Sequence, residues 1–356
     1  MKIAINGAGR IGRSFLRLAL DAEGLSKVDR KIEIIAINDL GDIDNIAYLL
    51  KYDTVYGVSP LKISVNEDKK SISVNEKKIE FLSEKNPANL PWRHLDIDVV
   101  VESTGVFATY KKSQAHIEAG AKRVIITAPV KDDPIDESQV MVLMGINDDK
   151  LVKAQISSNA SCTTNAAGPI VQILNEKLGI EKAILNTTHA LTASQTTVDG
   201  PKAKDWKEGR AGAHNIVPTS TGAAKAVGKV ISEIKDKFDG ISMRVPVIAG
   251  SIADITFISK KETSVEEVNK ILKDAAQEEK WQGIFTATDE KLVSSDIVGS
   301  LYGSIADLGL TRVVGGNLVK VCVWYDNEMG YTNTLLKHIL KIGKYLEVNS
   351  SEVGLS

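Results

Sequence analysis

One of the two cysteines of this chain stands in "SSNASCTTN", residues 157–165, among hydroxyls and amides. A free cysteine most often packs as a small hydrophobe, but Cys162 has small polar neighbours on both sides and is followed by the helix-like "AAGPIVQILNEKLG". A sulfur at a helix N-terminus meets backbone N–H groups and the positive end of the dipole, which lower a thiol pKa and bind a developing oxyanion. Cys162 therefore reads as a nucleophile, whereas Cys322, inside the apolar "VKVCVWY", reads as packing. Such a nucleophile wants a base. Of five histidines, His94 follows "PWR" in a loop, His116 falls in a surface helix, His214 in the polar "RAGAHNIVP" and His338 in the C-terminal helix. His189 ends the strand-like "AILNTTHALT" in the same half as Cys162 and is the best placed to meet the thiol, with a satisfied structural histidine as the competing reading. No CxxC or HExxH spacing and no disulfide framework accompanies the two cysteines, so no metal site is expected.

A second constellation opens the chain. Gly7, Gly9 and Gly12 make GxGxxG in "KIAINGAGRIGRSFLRLAL", between an apolar run and a segment of helical periodicity. Glycines so placed let backbone approach a pyrophosphate lying on a helix N-terminus, although they also make ordinary strand-to-helix turns. Asp39, closing the β-branched "KIEIIAIND", would accept hydrogen bonds from the adenosine ribose. It lies further beyond the glycines than the usual twenty or so residues, and the insertion "DAEGLSKVDRK" accounts for that as a longer connection.

These residues need elements to hold them. Strands at "DVVVEST" and "KRVIIT", with the helical "YKKSQAHIEAGA" between them, continue a strand and helix alternation. The expected fold is a Rossmann-type α/β domain with a doubly wound, mostly parallel sheet. The runs "KISVNED" and "SISVNEK" read as an edge hairpin. The stretches "ESTG" and "TAPV", residues 102–105 and 127–130, either line a cofactor crevice or simply punctuate strands. Past residue 157, long β-rich runs such as "MRVPVIAGSIADITFISK" point to an α+β catalytic domain with a mostly antiparallel sheet. The expected domains are residues 1–160 and 161–331, with an amphipathic helix from about 332 to 356 packing back on the first.

Composition narrows the function classes. At 356 residues, with 44 basic against 46 acidic side chains and a formal charge of -2, the chain suits two ordinary globular domains and lacks a basic tract for nucleic acid. No apolar run approaches membrane-spanning length, and the N-terminus does not read as a secretory signal, so a cytoplasmic protein with no membrane partner is expected.

Taken together, "INGAGRIGR", "ESTGVF", "SNASCTTN", "THALTASQTTVDGP", "DWKEGRAGAHNIVPTSTGAAKAVGKV", "MRVP" and "WYDNEMGYTN" resemble phosphorylating glyceraldehyde-3-phosphate dehydrogenases, in order along nearly the whole chain. That resemblance implies a homotetramer that oxidises D-glyceraldehyde 3-phosphate with NAD and inorganic phosphate to 1,3-bisphosphoglycerate, through a cysteine hemithioacetal and thioester. Cys162 matches the family's nucleophile and His189 its base. Thr192 and Arg244 match residues that hold the substrate phosphate; Ser161, Thr163, Thr221 and Gly222 match those that hold the attacking phosphate. On the cofactor side Arg10 and Ile11 match residues over the pyrophosphate, Asp39 the ribose ligand, Lys85 a contact beside it, Thr127 a hydroxyl near the nicotinamide ribose, and Asn327 the carboxamide partner. Asp39 followed by Leu40, with Pro201, matches the NAD-preferring pattern, and Tyr331 an aromatic beside the nicotinamide. The segment from about Ala190 to Asn215 resembles the family's S-shaped loop, which reaches a neighbouring subunit.

Some positions depart from the family. Lys85 stands where arginine is common, Met329 where an aromatic is usual, and Ala166 where many members carry a second cysteine. Whether Lys207 or Arg210 helps to hold phosphate is open. The competing functions are erythrose-4-phosphate dehydrogenase, which the "PWRHLDIDVV" stretch resembles, and a redox-sensing or binding protein that uses the same scaffold.

Overall fold

The computed structural model describes residues 1–20, 32–203 and 205–353, and side chains as far as residue 346. The insertion "DAEGLSKVDRK" lies outside the described residues. Two compact units divide the chain: residues 1–142, 147–160 and 335–356 form one, and residues 143–146 and 161–334 the other.

The first unit is built on a nine-stranded sheet. Its strands are β1 (Lys2–Asn6), β2 (Glu33–Asn38), β5 (Ile63–Val65), β6 (Ser71–Val74), β7 (Lys77–Leu82), β8 (Val99–Glu102), β9 (Arg123–Ile126), β10 (Gln139–Met141) and β11 (Ile156–Ser158), in the order β10-β11-β9-β8-β1-β2-β7-β6-β5. The two-residue strands β3 (Tyr52–Asp53) and β4 (Gly57–Val58) pair separately. Neighbours from β10 to β7 run parallel. Strands covered on both faces read as unbroken apolar runs, and "VVVE" and "RVII" are buried at every position. The expected hairpin is β5 with β6, and the chain then turns again through Asn75 (φ 48°) and Glu76 (φ 69°), a two-residue loop with both φ positive, so that β7 joins the pair to the parallel strands. Strand order reverses about β1, whose neighbours are β2 and β8, and ligands of open α/β sheets bind beyond the carboxyl ends at such a point.

Helices α1 (Arg10–Leu20), α2 (Ile43–Lys51) and α3 (Tyr110–Glu118) belong to this unit. His116, expected on the surface of α3, is instead wholly buried. Tyr110, Ser113 and His116 recur at helical spacing on the face that packs against β9, and a polar residue on that face must find partners inside. His338 is buried too, between Asn159 Oδ1 (3.1 Å) and Ser157 Oγ (2.9 Å).

The second unit carries a seven-stranded sheet of β12 (Ile180–His189), β13 (Val217–Ser220), β14 (Phe238–Arg244), β15 (Ser251–Ser259), β16 (Phe285–Thr288), β17 (Ser304–Val314) and β18 (Leu318–Tyr325), in the order β13-β14-β12-β15-β18-β17-β16. It is mostly antiparallel, with parallel pairing only of β12 to β14 and β16 to β17. Every second residue of β15 is buried, the alternation of a sheet with one face on a core. That core is closed by α4 (Cys162–Leu178), which packs on β15, β17 and β18 and against α5 (Ala223–Val230) and α6 (Val265–Ala275). The last helix, α7, runs Met329–Val353.

Candidate active site

Cys162 is the first residue of α4, as its polar flank and the helical pattern after it require. Ser161 caps the helix, its Oγ accepting from Thr164 N at 3.1 Å. Just before it Ala160 is fully buried with φ 54°, a left-handed conformation that a non-glycine residue holds only where its surroundings fix it. His189 arrives from the end of β12, with Nε2 3.4 Å from Cys162 Sγ. The histidine expected to meet the thiol is the one that does.

Ring orientation follows from its second nitrogen. The Ala190 carbonyl can only accept, so its 2.7 Å contact with His189 Nδ1 assigns the ring proton there and turns the Nε2 lone pair to the sulfur. Arg244, at the end of β14, sets a guanidinium nitrogen beside Nδ1, but with the ring proton there its N–H donates to the same Ala190 oxygen (3.3 Å) and not to the ring. Burial, and then the Arg244 charge, push the His189 pKa down to about 3, against a smaller opposing pull from Ala190. The thiol departs from the expectation of a lowered pKa. Burial pushes Cys162 up; the Arg244 charge, then the Thr163 hydroxyl, and then the backbone N–H groups at the helix terminus pull it down without prevailing. Cys322 is buried in β18, and its thiol is pushed up to about 11, chiefly by burial.

The residues matched to anion binding lie in this unit. Thr221 Oγ1 accepts from Ala223 N (3.2 Å), which leaves its hydroxyl proton for another acceptor. Gly222 is the N-cap of α5 and has open space where a Cβ would stand. The Thr192 hydroxyl meets Ser194 Oγ and Gln195 Oε1, both at 3.0 Å. Thr163 is turned inward, to Tyr325 OH at 2.9 Å. Arg244 Nε is buried and makes no hydrogen bond among the described residues, a donor in want of an acceptor. Arg210 is paired with Asp199 at 2.9 Å, whereas Lys207 lies 3.9 Å from Asp205.

In the first unit a cavity of about 750 Å³ opens beyond the strand ends, lined among others by Gly7, Gly9, Asp39, Leu40, Lys85 and Thr104. Its shape depends on the glycines. A Cβ on Gly7 (φ 100°) would stand 2.7 Å from Thr104 N, and one on Gly12 2.1 Å from the Gly7 oxygen. Asp39 Oδ2 accepts from Ala8 N (2.7 Å) and Oδ1 from Gly41 N (2.8 Å), so the carboxylate is held by one backbone donor per oxygen with lone pairs left for hydroxyls. Arg10 and Ile11 open α1 ahead of its first internal bond, Arg13 N to Gly9 O, where backbone N–H groups suit an anion. The Arg10 guanidinium itself is bound to Asp53 at 2.5 Å. Of the two stretches with open readings, Ser103 and Thr104 of the first line the cavity, as do Val106 and Phe107 just beyond it, while Thr127 Oγ1 of the second donates to the Glu102 carbonyl (3.1 Å). In the second unit Asn327 Oδ1 accepts from Gly250 N (3.2 Å) and Ser251 Oγ (3.0 Å), which turns its Nδ2 donor the other way. The residues lining the first-unit cavity fit a dinucleotide. Among the described residues no group of three or more His, Cys, Asp or Glu is placed to hold a metal ion.

Two contributors to the thiol site were not legible beforehand. Tyr325 stands edge-on to the His189 ring, centroids 5.9 Å apart, with its hydroxyl between Thr163 Oγ1 and Thr187 Oγ1 (2.8 Å). The Ala190 carbonyl is the other, and no side-chain pattern announces a backbone acceptor.

Comparison with known proteins places these features in a class. Residues 1–110 match the model of the glyceraldehyde 3-phosphate dehydrogenase NAD binding domain, and residues 161–327 that of the glyceraldehyde 3-phosphate dehydrogenase C-terminal domain. The class is a dinucleotide-binding domain joined in one chain to a dehydrogenase catalytic domain. The chain is 46% identical over 348 residues to the glyceraldehyde-3-phosphate dehydrogenase of Mycolicibacterium smegmatis, covering 97% of this chain and 99% of that protein. It is 45% identical over 350 residues to that of Mycobacterium leprae, with the same coverage, and 42% identical over 346 residues to glyceraldehyde-3-phosphate dehydrogenase 2 of Saccharomyces cerevisiae, covering 96% and 99%. This chain belongs to the glyceraldehyde-3-phosphate dehydrogenase family.

Proposed function

We propose that the protein oxidises D-glyceraldehyde 3-phosphate with NAD and inorganic phosphate to 1,3-bisphosphoglycerate. The observation that carries this reading is the pair of Cys162 Sγ and His189 Nε2 at 3.4 Å, with Nδ1 held by a carbonyl so that the Nε2 lone pair faces the sulfur. Sγ adds to the aldehyde carbon as its proton passes to Nε2 and from there to the carbonyl oxygen, giving a hemithioacetal and freeing Nε2 to accept again. NAD supplies the hydride acceptor. His189 takes the hydroxyl proton of the hemithioacetal as its C–H hydride leaves, and a thioester remains. Inorganic phosphate attacks that thioester, and sulfur departs with the proton held on Nε2 as the acyl phosphate forms. The buried Arg244 Nε and the Thr192 hydroxyl suit the substrate phosphate. Ser161, Thr221 and Gly222 offer hydroxyls and a helix start to the attacking phosphate, while Thr163, turned to Tyr325, acts through the geometry of the helix terminus.

The same reading makes the protein a cytoplasmic homotetramer. Its support is the apolar exposure of Val198 and Trp206 within the 190–215 stretch and of Ile216 just after it, at 73%, 84% and 69%. Among the described residues no helix is long and apolar enough to cross a membrane.

The deciding experiment follows NADH formation from glyceraldehyde 3-phosphate and NAD with and without inorganic phosphate, beside Cys162→Ser. A strict phosphate requirement, with loss of more than about three orders of magnitude in the variant, is expected. Equal rates without phosphate would assign a hydrolytic aldehyde dehydrogenase of the erythrose-4-phosphate type, and no NADH would return the scaffold reading.

A further inference from the structure

Behind the cavity of the first unit lies a buried cluster that the proposed chemistry does not use, Asn6, Asn38, Trp92, Glu102 and His116, joined from the cavity side by the exposed Thr104. Groups that can only donate fix the direction of its bonds. Glu84 N–H donates to Asn38 Oδ1 (2.8 Å), so the amide nitrogen of Asn38 must point the other way, to Asn6 Oδ1 (2.7 Å) and the Glu84 carbonyl (2.9 Å). With its oxygen so used, Asn6 donates through Nδ2 to Glu102 Oε2 at 2.5 Å.

From the opposite end, the Trp92 indole N–H donates to His116 Nδ1 (3.0 Å). The ring proton is therefore on Nε2, 3.1 Å from the same Glu102 Oε2. The 3.4 Å between Asn6 Nδ2 and His116 Nε2 is the spacing of two donors converging on one oxygen. Glu102 Oε1 accepts the Thr104 N–H (2.9 Å) and the Thr104 hydroxyl, whose oxygen in turn accepts from Val106 N (3.1 Å). Four donors thus fill the carboxylate, and among the described residues no Lys or Arg pairs with it. A buried carboxylate held by neutral donors in one fixed set of directions has little freedom to rearrange.

Those directions end at the cavity. Asn6, Asn38, Glu84 and Thr104, which come from the ends of β1 and β2 and the loops after β7 and β8, all line it. We propose that Glu102 and His116 are positioning residues for the cofactor, a buried pair that holds these four segments of the cavity wall in register without touching it. The inference rests on the NAD-dependent reading above.

The test compares Glu102→Gln and Trp92→Phe with the wild-type chain. His338→Gln serves as the control, a buried histidine of the same unit, bonded to Asn159 and Ser157 and absent from the cavity wall. NAD affinity is measured by calorimetric titration, the Michaelis constant for NAD against kcat by kinetics, stability by thermal unfolding, and the His116 tautomer by imidazole 15N resonances. An amide at position 102 must turn a donor on a donor, so NAD binding should weaken about tenfold or more with kcat within about twofold of wild type. Loss of the indole donor in Trp92→Phe should weaken NAD by about threefold, and His338→Gln should lower stability and leave NAD affinity unchanged. Wild-type His116 should show its proton on Nε2. Unchanged NAD affinity in Glu102→Gln or, should that variant not fold, in Trp92→Phe, or a loss matched by His338→Gln, overturns the positioning role alone. Failure of the wild-type chain to bind NAD overturns the functional reading and this inference with it.

Discussion

Arg244 acts on two titrating groups at once: its charge lowers both the Cys162 thiol and the His189 imidazole, while its Nε waits for an acceptor. Replacing it with leucine removes a pull that opposes the burial of the thiol, so less thiolate forms at neutral pH and alkylation of Cys162 by iodoacetamide should slow. The same change should raise the Michaelis constant for glyceraldehyde 3-phosphate by about a hundredfold, the cost of a lost charge-assisted contact, with lysine restoring only part because it lacks the planar fork. An alkylation rate equal to wild type would separate Arg244 from the thiol. At this scale the sequence shows residue types well and their environments poorly. The polar flank of Cys162 marked it out, but a thiol raised by burial depends on what covers it, which no local pattern records. Asn6 and Asn38 carry no such flank; their only mark in the sequence is that the same residue closes β1 and β2, where the two are partners in register.

Elements carry a different kind of information. In the turn from β1 to α1 the three glycines serve separate ends, and two substitutions tell them apart. A Cβ on Gly12 meets the backbone oxygen of Gly7, which cannot yield, so Gly12→Ala should cost about 1–3 kcal/mol of stability together with NAD binding. A Cβ on Gly9 would have its nearest neighbour, the Ser103 oxygen, at 4.0 Å. Gly9→Ala should keep the unfolding temperature of the wild type and still lose about tenfold or more in NAD affinity, because the added methyl occupies the cavity wall. Thermal unfolding and calorimetric titration check both. The strands and helices of both sheets were largely legible from apolar runs and turn residues, since parallel strands and amphipathic helices leave strong periodicities. What escaped was the inward face of α3: charged neighbours made it read as surface, and only the three-residue recurrence of Tyr110, Ser113 and His116 could have shown otherwise.

The whole molecule should respond to acid through two buried histidines. Burial holds both His189 and His338 at about 3, below the ordinary 6.5, so the unfolded chain binds protons that the folded chain refuses. Each group's contribution is fully present above pH 6.5 and is lost as pH falls from there toward 3. Between those limits stability should decline by about 1.4 kcal/mol per pH unit for each histidine, and His338→Gln should halve the slope measured by urea unfolding. A slope indifferent to that substitution would place the acid response elsewhere. The exposed loop has an optical consequence as well. Of four tryptophans, Trp92 and Trp281 are sealed in the interior and Trp324 is half-buried, which leaves Trp206 as the indole that water reaches most freely. Its emission lies to the red and is open to quenching by iodide while the loop is bare, and moves to the blue and into shelter when another surface covers it. For the homotetramer proposed above, Trp206 is therefore a native reporter of assembly, readable by dilution without a label.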